Sequence, residues 1–173
     1  MLFRLPAWRG LALVSSLIAA VSVAYADHAL VGQRAPALVT ETLNGGQVAL
    51  DDLRGKPVLV HFWATWCGAC VREMPEIERA QRELGDANLA VLAVDVGEER
   101  NKVAAHVAER GYRFRVTLDP DWKAAERYGI IGLPVSFLVD ARGIVRARMD
   151  GGNLTREKIA ELVQRLLMVP HDS

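Results

Sequence analysis

The 173-residue sequence predicts an α/β domain whose central mixed sheet is flanked by helices. Three observations carry that prediction. Val58 to Trp63, apolar except at His61, and Leu89 to Val94 are runs with no polar alternation, as in strands of a parallel sheet buried on both faces. Each run leads into a stretch with helical apolar spacing, the strand–helix alternation of this class. The first run ends in Ala64-Thr-Trp-Cys67-Gly-Ala-Cys70, which sets two cysteines three apart at the turn from strand to helix.

In chain order, Met1 to Ala26 opens with Arg4 and Arg9, is almost continuously apolar from Leu11 to Val23, and closes on Ala24-Tyr25-Ala26. That is the pattern of a secretory signal peptide cut after Ala26, which places residues 27-173 outside the cytoplasm as one domain. Acids and bases number 21 each, so removing the two leader arginines leaves a net charge of −2, and nothing points to nucleic acid. Ala37 to Thr42 and Gln47 to Leu50 read as an N-terminal edge hairpin about Asn44-Gly45-Gly46. After Cys70 the helix runs to Leu84, with Val71, Met74, Ile77 and Leu84 on its apolar stripe and Pro75 as a predicted kink. Arg72, Glu76, Glu78 and Arg82 have the i,i+4 spacing of an outer, paired face.

Asp95 and Glu98 follow the second apolar strand, at the end where α/β sites form; they border the active site or cap a loop. Asn101 to Arg110 is a helix with Gly111 as its C-cap, Arg113 to Leu118 a strand, and Trp122 to Tyr128 a short helix. Ile130-Ile-Gly-Leu-Pro134 precedes a strand from Val135 to Asp140. Asp140-Ala-Arg-Gly143 then turns the chain into an edge strand, Ile144 to Met149, with Arg146 and Arg148 facing out. Thr155 to Leu167 is an amphipathic helix, and the tail after Val169 is expected to be disordered.

The cysteine pair has a chemical reading of its own. A helix N-terminus favours an anion, so a thiolate forms at Cys67 more easily than in water, and Cys70, one turn in, is within reach of a mixed disulfide made by Cys67. Structural zinc lacks ligands, since only these two cysteines exist and His28, His61, His106 and His171 are scattered. A purely structural disulfide closing so short a loop restrains the unfolded chain by only about 2 kcal/mol. Redox exchange is the better reading. Glu73, three residues past Cys70, either offers a base to a buried thiol whose ionisation burial opposes or is a surface glutamate. His61, on the first apolar strand, is either a proton relay or a hydrogen-bonded core histidine.

The run Phe62-Trp63-Ala64-Thr65-Trp66-Cys67-Gly68-Ala69-Cys70, with Pro75 and the distant Gly132-Leu133-Pro134, resembles the thioredoxin-like fold. More narrowly it is similar to the extracytoplasmic TlpA/ResA/DsbE (CcmG) group of thiol–disulfide oxidoreductases, from about Val31 to Leu167. The resemblance implies a cis peptide before Pro134 facing the cysteines. It also implies backbone hydrogen bonds from Leu133 to an extended substrate, with Trp66 beside it, and an acid at Glu73 next to the resolving cysteine. His61 stands where thioredoxins carry a buried aspartate. The strand at Arg113 to Leu118 and the helix at Trp122 to Tyr128 read as a crossover inserted after the second core strand, as in this group and in peroxiredoxins. The group also implies protein thiol and disulfide substrates, apocytochrome c among them, and a membrane electron donor of the DsbD or CcdA type. An uncleaved leader acting as an inner-membrane anchor is its variant of the N-terminus.

No cofactor or metal is implied. Three rivals remain: a thiol oxidant of DsbA type using the same residues in reverse, a peroxidase, and a copper-holding module with Cys67 and Cys70 as soft ligands. The peroxidase lacks a Pro-x-x-x-Thr-x-x-Cys motif around Cys67.

Overall fold

The computed structural model describes residues Leu30–Met168; the predicted leader over residues 1–26 and the tail after Val169 lie outside them. No helix among the described residues is long and apolar enough to cross a membrane. Seven strands form one mixed sheet in the order β2-β1-β5-β4-β3-β6-β7. They are β1 (Val39–Thr42), β2 (Gln47–Ala49), β3 (Val58–Trp63), β4 (Ala90–Val96), β5 (Arg115–Asp119), β6 (Val135–Val139) and β7 (Val145–Asp150). Four α-helices connect or cover them: α1 (Gly68–Leu84), α2 (Arg100–Arg110), α3 (Lys123–Arg127) and α4 (Arg156–Met168).

The two apolar runs are the centre of the sheet. β3 and β4 pair in parallel from Val58↔Ala90 to Trp63↔Asp95, and every residue of both is buried. Alternate side chains serve two cores. Leu59, Trp63, Val91, Ala93 and Leu138 pack with Met74 and Ile77 of α1, Val103 of α2 and Ile159 and Val163 of α4. Val60, Phe62, Leu92, Val94 and Phe137 pack on the opposite face with Ala125 and Tyr128. Three helices therefore cover one face, while α3 and the N-terminal segment cover the other.

The crossover out of β4 is α2, which delivers β5 parallel to β4; α3 then returns the chain to β6 on the other side of β3. The helical half of the insertion is thus α2, and the expected partner helix at Trp122 to Tyr128 is the return. Asp119 starts that return by accepting the backbone N–H groups of Ala124 (3.0 Å) and Ala125 (2.9 Å). β5 also seats the N-terminal hairpin through Glu41↔Leu118 and Thr42↔Thr117. The hairpin turns at Gly45, whose φ of 83° suits the glycine read from the sequence.

Three surface expectations are corrected. The inner face of α1 is Cys70, Glu73, Met74, Ile77 and Ala80, with Val71 and Leu84 only half-buried, because the first turn is fixed with Cys70 turned inward. Its outer charges seek longer-range partners. Glu76 pairs with Arg79 and accepts the Arg156 N–H (3.2 Å), and Glu78 accepts the Arg113 N–H (3.0 Å). On β7, Arg148 does not face out: its guanidinium lies over the Phe137 ring (5.5 Å), forked to Asp150, and Arg146 binds the buried Asp140 at 2.6 Å.

Candidate active site

Strand β3 ends at Trp63 and α1 begins at Gly68, so Cys67 is the N-cap of α1, with φ −83° and ψ 101°. Its sulfur accepts the Cys70 N–H at 3.2 Å, one of the donors that a helix start leaves without a backbone partner. Cys67 and Cys70 are joined as a disulfide with Cα atoms 5.2 Å apart. Cys67 is 7% exposed and Cys70 fully buried, so an incoming sulfur reaches only Cys67. Trp66, beside it, is 63% exposed.

The peptide before Pro134 is cis, and Pro134 leads directly into β6, the antiparallel neighbour of β3. Register then brings in a loop that sequence reasoning missed. β6 and β7 form a hairpin about Asp140–Gly143, pairing Val135 with Asp150, so residues 151–154 fall back beside Pro134. The Gly151 N–H donates to the Pro134 carbonyl (3.2 Å), and the Leu154 N–H donates to Glu73 (2.7 Å). A Cβ on Gly152 would stand 2.8 Å from the Cβ of Ala69, inside the Cys-Gly-Ala-Cys motif. Counting outward from the predicted turn would have found this loop. Gly152→Ala is expected to destabilise the protein by about 1–3 kcal/mol, as overpacking does, and to slow exchange by displacing Ala69; thermal unfolding and a disulfide-exchange assay check both.

Glu73 is 2% exposed on the inner face of α1. Burial pushes its carboxyl up to about 7, against the opposing pull of the Leu154 N–H and the Arg72 charge, which makes it a group able to take or give a proton at neutral pH. His61 is fully buried in β3, with Nδ1 2.8 Å from the Ser136 hydroxyl and Nε2 unpartnered. Burial pushes it down to about 3, so the imidazole is neutral at physiological pH. Asp95 and Glu98 lie behind the Cys67 turn. Glu98 accepts the Thr65 N–H (2.5 Å) and hydroxyl (2.7 Å), so of the two readings open for this strand end, Glu98 borders the site, although its partner Thr65 was not legible in the sequence. A cavity of about 510 Å³ opens at the far ends of β4 and β5 near Lys56, Asp86 and Arg113 and touches neither cysteine. Exchange chemistry needs an accessible sulfur rather than an enclosed cavity.

Comparison with known proteins agrees with this geometry. Residues 31–148 match the AhpC/TSA family. The thiol-disulfide oxidoreductase ResA of Bacillus thuringiensis subsp. konkukian is 32% identical over 136 residues, which cover 79% of this chain and 78% of that protein. ResA of Bacillus subtilis is 34% identical over 128 residues, covering 74% and 71%. Among solved structures, the thioredoxin domain of a thiol-disulfide oxidoreductase from Bacteroides vulgatus superposes with a TM-score of 0.70 at 27% identity, over 78% of this chain and 96% of that one. The fold is therefore thioredoxin-like, and the chemistry is thiol–disulfide exchange at Cys67 and Cys70.

Proposed function

This chain belongs to the AhpC/TSA family, and we propose that within it the protein works outside the cytoplasm as a reductant of protein disulfides. The observation that carries the reading is the asymmetry of the pair. The sulfur that caps α1 is the one a partner can reach, and the sulfur behind it is sealed on the same buried face of α1 as Glu73, whose carboxyl burial pushes up to about 7.

In the reduced protein, the Cys67 thiolate attacks a partner disulfide, forming a Cys67–partner disulfide and releasing one partner thiolate. Cys70 passes its proton to the Glu73 carboxylate and attacks the Cys67 sulfur. The Cys67–Cys70 disulfide forms, the second partner thiolate leaves, and two electrons have moved to the partner. The partner lies along the backbone of Leu133 and Pro134 with Trp66 against it. Neutral His61 takes no proton in this scheme. A membrane donor of DsbD or CcdA type restores the thiols. Apocytochrome c, which must be reduced before haem attachment, is the proposed substrate. The exported location rests on the leader pattern of Met1 to Ala26, cleaved or kept as an anchor.

The test is the reduction potential of the Cys67/Cys70 pair against a defined redox buffer, followed by fluorescence of Trp63 and Trp66. A value at or below about −250 mV marks a dedicated reductant, whereas a value near about −120 mV makes the protein an oxidant and overturns the cytochrome assignment.

A further inference from the structure

Behind the active-site turn, on the face covered by α1, α2 and α4, lies a buried carboxyl that the exchange scheme does not use. Asp95 in β4 is fully shielded, and neither of its oxygens accepts a hydrogen bond among the described residues. An ionised carboxylate buried in this way is strongly disfavoured. The charge acting on it most strongly is that of a second carboxylate, Glu98. Two ionised carboxylates offer each other only acceptors; a proton on one turns it into a donor to the other.

Glu98 is the member that stays ionised. Burial works against its charge, but Lys102 Nζ at 2.5 Å and both donors of Thr65 hold it. Asp95 is the member that keeps the proton, pushed up to about 8 by burial first and the Glu98 charge second. The charged groups around the pair are few. Lys102 lies on the first turn of α2, and His106, further along α2, feels the Glu98 charge. In sheet register Asp95 is flanked by uncharged Trp63 on β3 and Leu118 on β5.

We propose that Asp95 is a positioning residue for the nucleophile: in its protonated form it donates to Glu98 and keeps that carboxylate clamped on Thr65, two residues before Cys67. When Asp95 ionises, the pair repels, the clamp on Thr65 loosens, and a second negative charge stands behind the Cys67 turn. The Cys67 turn is thereby held at neutral pH and released in alkali. This holds for either direction of electron flow, since both pass through Cys67.

Two measurements test it. In the unaltered protein, the Thr65 amide proton and the Asp95 carboxyl carbon, followed by NMR, should titrate together with a midpoint near pH 8. A Thr65 amide that does not move across that range overturns the proposal. In Asp95→Asn, which keeps a donor to Glu98 at every pH, the ratio of the exchange rate at about pH 9 to that at about pH 7 should rise roughly fivefold over the unaltered protein, which alone gains a charge behind the turn in alkali. A variant ratio equal to that of the unaltered protein, in a folded protein, overturns it as well. Neither outcome depends on the potential that tests the proposed function, so the two can fail separately.

Discussion

Cys70→Ser is expected to leave the partner covalently attached through Cys67, with the mixed disulfide accumulating until nearly all of the variant is consumed. Cys67→Ser is expected to lose exchange by on the order of 10³-fold or more, the usual cost of deleting a nucleophile. The difference follows from burial and capping. Only Cys67 is open to a partner, at 7% exposure, and only its sulfur receives a helix N–H, from Cys70 at 3.2 Å. Cys70 is sealed, and in the proposed scheme it acts after the first bond has formed. Non-reducing electrophoresis of each variant with a disulfide-containing partner decides the order of attack. Trapping by Cys67→Ser in place of Cys70→Ser would reverse the two roles.

The parts of this design that were legible in the sequence are those set by contiguous residues. β3 followed by Cys67 is one stretch of chain, and its burial on both faces is written in five apolar side chains that flank a single His61. The bounds of α1 follow from Cys67 and Gly85, and the turn at Gly45 from its glycines. What was not legible depends on register between distant segments. The Gly152–Ala69 approach needs the β6–β7 pairing, and the Thr65–Glu98 clamp needs β3 beside β4. The outer charges of α1 were misassigned for the same reason. An i,i+4 pair contributes only a few tenths of a kcal/mol, so Glu78 takes the Arg113 N–H from the segment before β5, and Glu76 adds the Arg156 N–H at the head of α4 to an i,i+3 pair with Arg79.

Glu73→Gln is expected to move stability and catalysis in opposite directions. Burial raises the Glu73 carboxyl in the folded protein to about 7, so the folded state holds its proton more tightly than the unfolded chain does. The stability this contributes is complete below the ordinary carboxylate range and is lost as pH rises through about 7. Glutamine does not titrate, so the variant escapes that loss. The gain at alkaline pH is about 3 kcal/mol, since the charge-assisted bond to the Leu154 N–H is already counted in the raised carboxyl. Chemical denaturation at acidic and alkaline pH reads this directly. In the proposed scheme the same substitution removes the proton acceptor for Cys70, so resolution of the mixed disulfide should slow by about 10²-fold and lose its rise near neutral pH. If the variant gains stability while resolution keeps its rate and pH profile, Glu73 serves only to anchor Leu154 at the head of α4. If both move as expected, the buried carboxylate is retained at a cost in stability because Cys70, sealed from water, needs a base on its own side of the disulfide.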